Sequence, residues 1–124
     1  MTADVLIVED HSTMREAMRA VLEQEGFEIR EAADGDAAKA QIQESTPDVV
    51  FLDLNIPGTS GAELLQWIKG DPARSSARVI IVTATGDEGK SQVIALGADA
   101  YFTKPFSPLA LLRTVEEVLK PQSK

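Results

Sequence analysis

Continuous apolar runs alternate with amphipathic stretches along this chain. Three runs are rich in β-branched residues, which is typical of interior strands in a parallel sheet covered on both faces. They are VLIV at 5–8, VVFL at 49–52 and VIIV at 79–82. Two other segments alternate in polarity or are short, FEIREA at 27–32 and AYFT at 100–103. The pattern predicts five strands, with these last two at the edges of the sheet.

Helical periodicity fills the intervals between the strands. Apolar residues from Met14 to Leu22 recur at i, i+3, i+4, i+7 and i+8, and Gly26 is a suitable stop. The last helix has the strongest start signal, with Ser107 as N-cap and Pro108 in its first turn. The other predicted helices are 36–45, 61–69 and a weaker one near 93–96.

The order of elements is therefore β–α, repeated five times. Strands joined by single helices are parallel, with right-handed crossovers, and five units are too few for an eight-stranded barrel. We expect an α/β fold with a doubly wound five-stranded parallel sheet in a three-layer α/β/α sandwich. Interior runs at strands 1, 3 and 4 fit the strand order 2-1-3-4-5.

The length of 124 residues fits one domain. We expect a single domain over 1–124, with 121–124 as a C-terminal tail and no effector domain. The chain has no Cys and one His, which excludes disulfides, thiolate metal sites and multi-His metal sites. No apolar run approaches the length of a membrane span, and the N-terminus turns acidic at once, unlike a signal peptide. We therefore expect a cytoplasmic location.

The formal net charge is −8, and Lys and Arg form no cluster. A negative field repels nucleic acids, so we expect no direct nucleic-acid binding. Because the apolar runs are short, we also expect no association with a membrane. An acidic balance is also ordinary for a small domain, and taken alone it says little about function.

Polar residues follow the predicted strands at their carboxyl ends. Because these ends share one edge of a parallel sheet, ligands bind there, at the point where the strand order reverses. Three carboxylates at one rim repel each other and would destabilise the fold unless a cation binds between them. The residues concerned are Glu9 and Asp10 after strand 1, Asp53 after strand 3, Thr83 after strand 4, and Thr103 and Lys104 after strand 5.

Hard oxygen ligands of this kind suit Mg²⁺, with Mn²⁺ as a substitute, better than Zn²⁺. Asn55 can add its backbone carbonyl. A metal beside an ammonium and a hydroxyl is typical of phosphoryl-transfer sites. Asp53, central among these groups, is the expected nucleophile, because a carboxylate can attack phosphorus to give an acyl phosphate.

Four separated segments resemble the motifs of the response regulator receiver domain of two-component systems, the CheY-like superfamily. They cover essentially the whole chain and stand in the family's order. They are VED at 8–10, PDVVFLDLNIPGTSG at 47–61, VTA at 82–84 and GADAYFTKPF at 97–106. The last segment contains two features of the family, an aromatic residue at Tyr101 and the pair Lys104–Pro105.

This resemblance implies a function and a set of roles. Asp53 would accept a phosphoryl group from a sensor histidine kinase or a histidine phosphotransfer protein. The metal ligands would be Glu9, Asp10, Asp53 and the carbonyl of Asn55. Lys104 would pair with the phosphate, Thr83 and Tyr101 would form the switch, and Lys104–Pro105 would be a cis peptide. Asn55 and Thr85 occupy positions that tune dephosphorylation in the family.

The implied protein is a switch module rather than an enzyme, apart from its own phosphoryl transfer and slow autodephosphorylation. Its output surface would be the face made by the fourth helix, the fifth strand and the fifth helix, which would bind a downstream protein. We expect a monomer or a weak, phosphorylation-dependent dimer.

Three other functions deserve comparison. Haloacid-dehalogenase-like phosphatases also use a strand-end Asp, but they carry a second Asp two residues later as general acid, and this chain has Asn55 there. A flavodoxin-like flavin binder shares the architecture, but Glu9 and Asp10 would repel a phosphate after strand 1. The complete set of acids, Thr and Lys argues against an unphosphorylated scaffold.

His11 is interpreted as a solvated residue at a helix start, and Trp67 as a packing residue.

Overall fold

The computed structural model describes residues 3–84, 89–104 and 107–119. Strands and helices alternate through this part of the chain. The strands are β1 (Asp4–Val8), β2 (Glu28–Ala32), β3 (Val49–Asp53), β4 (Arg78–Thr83) and β5 (Ala100–Thr103). The helices are α1 (Ser12–Glu23), α2 (Gly35–Glu44), α3 (Gly61–Lys69), α4 (Lys90–Ala95) and α5 (Pro108–Leu119).

The five strands form one parallel sheet in the order β2-β1-β3-β4-β5. This confirms the predicted fold class and strand order. Every residue of β3 is buried, whereas β5 is partly exposed throughout and β2 is buried only at its end. The continuous apolar runs were therefore correctly interpreted as interior strands, and the alternating or short ones as edges.

Helices cover both faces of the sheet. One core cluster joins one side of the strands to α2, α3 and α4, through residues such as Ile42, Leu64 and Val93. The second joins the other side to α1 and α5, through Leu22 and Leu111 among others. Burial on both faces holds the strands rigidly, so the residues at their ends have defined positions.

Helix termini agree with the sequence signals to within a few residues. Ser107 Oγ accepts a hydrogen bond from the backbone N–H of Ala110 at 3.1 Å, as expected of an N-cap. The largest difference is at α4, which begins at Lys90, because Gly89 with φ near 80° forms its N-cap. Its weak apolar stripe had marked only the second half of the helix.

A membrane-spanning segment is also absent from the described ranges, where every helix is too short or too polar to cross a bilayer.

Candidate functional site

Three strands bring buried polar residues to the carboxyl edge of the sheet. Glu9, Asp53 and Thr83 are the buried polar residues in the described part of the chain, with exposed fractions of 1%, 4% and 0%. Each follows or ends an apolar strand that is packed on both faces. The fold therefore takes two carboxylates out of water at one rim, which costs free energy unless they are paired.

Lys104 supplies that pairing. Its Nζ lies 2.7 Å from Glu9 Oε1 and 2.9 Å from Asp53 Oδ2. Its own backbone N–H donates to the carbonyl of Thr83 at 2.8 Å, which anchors the end of β5 beside the end of β4. One ammonium thus bridges the ends of β1 and β3 and offsets much of the repulsion between their carboxylates.

The protonation of Lys104 is secured by this environment. Burial alone would lower the pKa of its ammonium, but the hydrogen bonds to Glu9 and Asp53, reinforced by their charges, raise that pKa above its ordinary value. Lys104 is therefore a permanent cation at neutral pH, placed against the carboxylate expected to react.

The second oxygen of Asp53 is bound by the following turn. Asn55 N–H donates to Asp53 Oδ1 at 2.9 Å. This turn packs under the start of α3 at Gly61, where a Cβ would lie 2.6 Å from Leu54 Cα and 2.8 Å from Asp53 O. Only glycine permits this approach. The sequence reasoning did not single out Gly61, although it stands in the quoted PGTSG motif.

The two acids after β1 lie close to the ring of His11. Ligand atoms of Glu9, Asp10 and His11 all fall within 4.8 Å of one another. His11 Nδ1 is 3.2 Å from Glu9 Oε2 and 3.4 Å from Asp10 Oδ1. The imidazole is 76% exposed, and His11 is the N-cap residue of α1. This agrees with the interpretation of His11 as a solvated residue at the start of a helix.

The donor chemistry of this edge fits Mg²⁺. Glu9 and Asp10 provide adjacent carboxylates, the first buried and the second exposed. Lys104 binds both Glu9 and Asp53, which brings a third carboxylate to the same edge. Carboxylate oxygens are hard ligands, which Mg²⁺ prefers. The exposure of Asp10 leaves that side of the cluster open to water, several molecules of which Mg²⁺ retains when bound to proteins.

The two predicted switch residues lie on neighbouring strands. Thr83 ends β4 and is fully buried, while Tyr101, on β5, pairs with Ile81 and is partly buried. Lys90 Nζ lies 5.8 Å from the centre of the Tyr101 ring. The predicted cis peptide at Lys104–Pro105 falls outside the described residues, as does Thr85.

An open cavity adjoins Lys104. Its volume is about 450 Å³, and it is lined by His11, Thr13, Met14, Ala17, Ala84 and Lys104. The cavity opens between the start of α1 and the Lys104 side chain.

Sequence reasoning missed a charged group behind the acidic turn. Arg15 on α1 donates from Nη1 to the backbone carbonyl of Glu9 at 2.8 Å and from Nε to Glu31 Oε1 at 2.9 Å. Arg19, one turn later, also donates to the Glu31 carboxylate. The alternation of FEIREA placed Glu31 on an edge strand, but nothing in the pattern indicated which helix it would face.

This group predicts an acid-dependent loss of stability. The hydrogen bond from Arg19, with help from Arg15 and against the effect of burial, lowers the pKa of Glu31. A lowered folded pKa gives stabilisation that is complete above the unfolded value, about 4.3, and is lost as pH falls through the folded value. Glu31→Gln should cost about 0.5–1 kcal/mol near neutral pH, the small size reflecting partial exposure, and almost nothing in strong acid.

Urea unfolding across the acid range measures this difference. Glu16→Gln, at an exposed position of α1, is the matched control and should change the free energy of unfolding little at any pH. If the free energy of unfolding of Glu31→Gln stays below that of wild type by the same amount down to strong acid, the substitution removes packing rather than the ionised carboxylate.

A family model for the response regulator receiver domain matches residues 5–116. The chain is 41% identical over 117 residues to the phosphate regulon transcriptional regulatory protein PhoB of Pseudomonas aeruginosa, covering 94% of this chain and 51% of that protein. It is also 41% identical over 117 residues to the sensory transduction protein RegX3 of Mycolicibacterium smegmatis, covering 94% and 50%. The chain thus spans about half the length of the curated relatives it matches.

Solved structures agree with these similarities over the whole fold. The chemotaxis response regulator CheY4 of Vibrio cholerae superposes with a TM-score of 0.89 and 32% identity, covering 96% of this chain and 100% of that one. The receiver domain of NtrX from Brucella abortus gives a TM-score of 0.88 and 34% identity, with 96% and 100% covered.

Proposed function

Since this chain belongs to the response regulator receiver domain family, a signalling module of two-component systems, we propose that it is a phosphorylation-controlled switch with Asp53 as phosphoacceptor. The phosphodonor would be a sensor histidine kinase or a histidine phosphotransfer protein of the same phosphorelay. The proposal includes a cytoplasmic location, where ATP-dependent kinases supply phosphoryl groups.

One observation carries the proposal: a nearly buried Asp53 carboxylate shares the Lys104 ammonium with a second buried carboxylate, Glu9. A purely structural ion pair would need only one acid. The arrangement instead keeps an anionic nucleophile and a cation side by side at the ligand-binding edge of the sheet. Lys104 can then exchange a carboxylate partner for a phosphoryl oxygen without leaving its place.

The proposed reaction is a phosphoryl transfer between two side chains. An Asp53 carboxylate oxygen attacks phosphorus, the phosphorus–nitrogen bond of the donor's phosphohistidine breaks, and the imidazole leaves with its electron pair and takes up a proton. Lys104 stabilises charge on the transferring group. Glu9, Asp10, Asp53 and the carbonyl of Asn55 would hold Mg²⁺, or Mn²⁺ in its place, which supplies further neutralisation of phosphoryl charge when bound.

Signal output would follow from a shift between two conformations. Phosphorylation changes the charge beside Thr83, and Tyr101 would respond on the neighbouring strand. The affected surface is the face of α4, β5 and α5, which exposes Ile94 by 43% and Leu109 by 57%. We propose that a downstream protein, or a second phosphorylated copy in a weak dimer, binds this face.

The length of the relatives bears on the rest of the function. We propose that residues 1–124 act as one receiver domain. A transcriptional output like that named for PhoB would require sequence beyond the half that is matched here, and this domain would not itself bind nucleic acid. Slow autodephosphorylation, tuned at Asn55 and Thr85, would end the signal.

Mg²⁺ binding gives a direct test of the acidic site. Wild type should melt at a higher temperature in millimolar Mg²⁺ than in chelator, because a ligand that binds only the folded state stabilises it. Asp10→Asn should gain little from Mg²⁺, and without metal it should be at least as stable as wild type, since it removes one of two neighbouring charges. An apo mutant that melts clearly below apo wild type would make Asp10 a structural residue and contradict the proposal.

A further inference from the structure

The side chain of Arg15 links the turn after β1 to the edge strand β2. Its Nη1 donates to the backbone carbonyl of Glu9 at 2.8 Å, and its Nε donates to Glu31 Oε1 at 2.9 Å. The side chains of Arg15 and Glu31 are 19% and 26% exposed, so both contacts are largely sheltered from water. The guanidinium thus uses its fixed fork geometry to bind two groups on two different elements.

The peptide group that Arg15 binds is the one joining Glu9 to Asp10. The preceding peptide, which joins Val8 to Glu9, is held as well: the N–H of Glu9 donates to the carbonyl of Ala32 at 3.0 Å, at the end of β2. The backbone of Glu9 is therefore held at both its N–H and its carbonyl, directly or indirectly by β2. Since that peptide sets the directions in which the two side chains leave the backbone, its orientation controls the relative placement of the two carboxylates.

The positive charge of Arg15 argues against a role in which this residue promotes metal binding through its charge alone. Arg15 places a positive charge behind a site that is proposed to bind a cation, which by Coulomb's law weakens metal binding. Glu31 offsets that charge and is itself bound by Arg19 as well. Arg15 would therefore oppose metal binding by its charge but favour it by orienting the peptide that carries the two carboxylates. This combination is expected of a positioning residue.

We propose that Arg15 and Glu31 are positioning residues for the metal site, which hold the Glu9–Asp10 peptide in the orientation that Mg²⁺ binding needs. The inference rests on the proposed function, because it assumes that Glu9 and Asp10 bind Mg²⁺. It adds a role for two residues outside the ligand set, one on α1 and one on β2.

The test is the Mg²⁺ affinity of Arg15→Ala, measured by NMR titration of the ¹⁵N-labelled protein with Mg²⁺ alone. Loss of an outer-shell partner should weaken binding about tenfold. A role through charge alone predicts the opposite sign, since the substitution removes a positive charge near the metal. Arg19→Ala is the matched control, because it removes one positive charge from the same helix and one hydrogen bond to the same Glu31 carboxylate. The Arg19 side chain donates to Glu31 and Glu23 and not to Glu9. The Mg²⁺ affinity of Arg19→Ala should stay close to that of wild type.

A double variant, Arg15→Ala with Glu31→Ala, removes one charge of each sign and should lose about as much affinity as Arg15→Ala alone, because the two residues act as a unit. If Arg15→Ala does not fold, Arg15→Lys decides instead: it keeps the positive charge but lacks the fork that binds Glu9 and Glu31 together, so it should bind Mg²⁺ more weakly than wild type, whereas a role through charge alone predicts no change. Unchanged or tighter Mg²⁺ binding in the folded Arg15 variants would overturn the inference. If Asp10→Asn binds Mg²⁺ as wild type does, the proposed metal site itself is wrong and the inference falls with it. If Asp10→Asn loses Mg²⁺ while Arg15→Ala keeps it, only the positioning role is wrong.

Discussion

Asp53→Asn will take up no phosphoryl group from acetyl phosphate and Mg²⁺, whereas wild type will gain one per chain. The amide keeps the size of the carboxyl group and can still accept a bond from Lys104, but it lacks the anionic oxygen that attacks phosphorus. Intact-mass spectrometry under conditions that preserve acyl phosphates measures the outcome. The expected effect is complete loss of labelling.

Two controls separate this result from general damage to the site. His11→Ala removes the imidazole at this edge, a side chain type that can also carry phosphate, and it should leave labelling unchanged because that imidazole is exposed and lies beside carboxylates. Asp71→Asn makes the same chemical change on the surface and should also be labelled normally. Undiminished labelling of Asp53→Asn would refute the assignment of the acceptor.

The second large effect concerns Lys104→Met, which keeps an unbranched stem and removes the ammonium. Glu9 and Asp53 would then lie buried and close together without their shared cation. Removal of one partner from a buried ionic group is strongly destabilising, so the metal-free free energy of unfolding should fall by about 3 kcal/mol. Mg²⁺ should restore part of this loss, because a bound metal replaces the missing positive charge. Phosphorylation should change the conformation of the variant only weakly, because its phosphate lacks the Lys104 contact.

Urea unfolding with chelator and with millimolar Mg²⁺ measures both parts of the Lys104 prediction. Arg113→Met, at an exposed position of α5, controls for the loss of one positive charge and should change stability by less than about 0.5 kcal/mol. A Lys104→Met protein as stable as wild type in chelator would mean that the two carboxylates do not depend on the ammonium.

The position of Asp53 could be predicted because it depends on the hydrophobic pattern and on the alternation of strands and helices. A continuous apolar run in that order is typical of an interior strand of a parallel sheet, so the residue that ends it lies at the ligand-binding edge. The same reasoning placed Glu9 and Thr83 there, and the structure finds both buried at that edge. Residues attached to short, rigid strand ends have few alternatives, and so their approximate locations follow from strand order.

The contacts of long side chains could not be predicted in this way. The sequence indicated that Lys104 reaches the site, but not that it bridges Glu9 and Asp53, because that contact depends on where β5 ends relative to β4. Arg15 lies on a helix face that periodicity marks only as polar, and its two partners are fixed by the packing of α1 against β2. Both side chains have several rotatable bonds, and tertiary structure chooses among their conformers.

The close packing of Gly61 under the end of β3 shows another limit. Its neighbours at 2.6 and 2.8 Å are backbone atoms of Leu54 and Asp53, contributed by the preceding turn. A glycine at the start of a helix can be required for several reasons. Here the reason is the close approach of α3 to that turn, which is visible only in the three-dimensional structure.

The central claim is that the carboxylate of Asp53 forms an acyl phosphate in a Mg²⁺-dependent reaction. Borohydride reduction tests it most directly, because hydride converts an aspartyl phosphate, but not an ordinary aspartate, into homoserine. After treatment with acetyl phosphate and Mg²⁺, then borohydride and proteolysis, peptide sequencing by mass spectrometry should find homoserine at position 53 and an unchanged residue there when chelator replaces Mg²⁺. Aspartate at position 53 in a protein that has gained a phosphoryl group, with the label at His11 or at a hydroxyl side chain instead, would contradict the account.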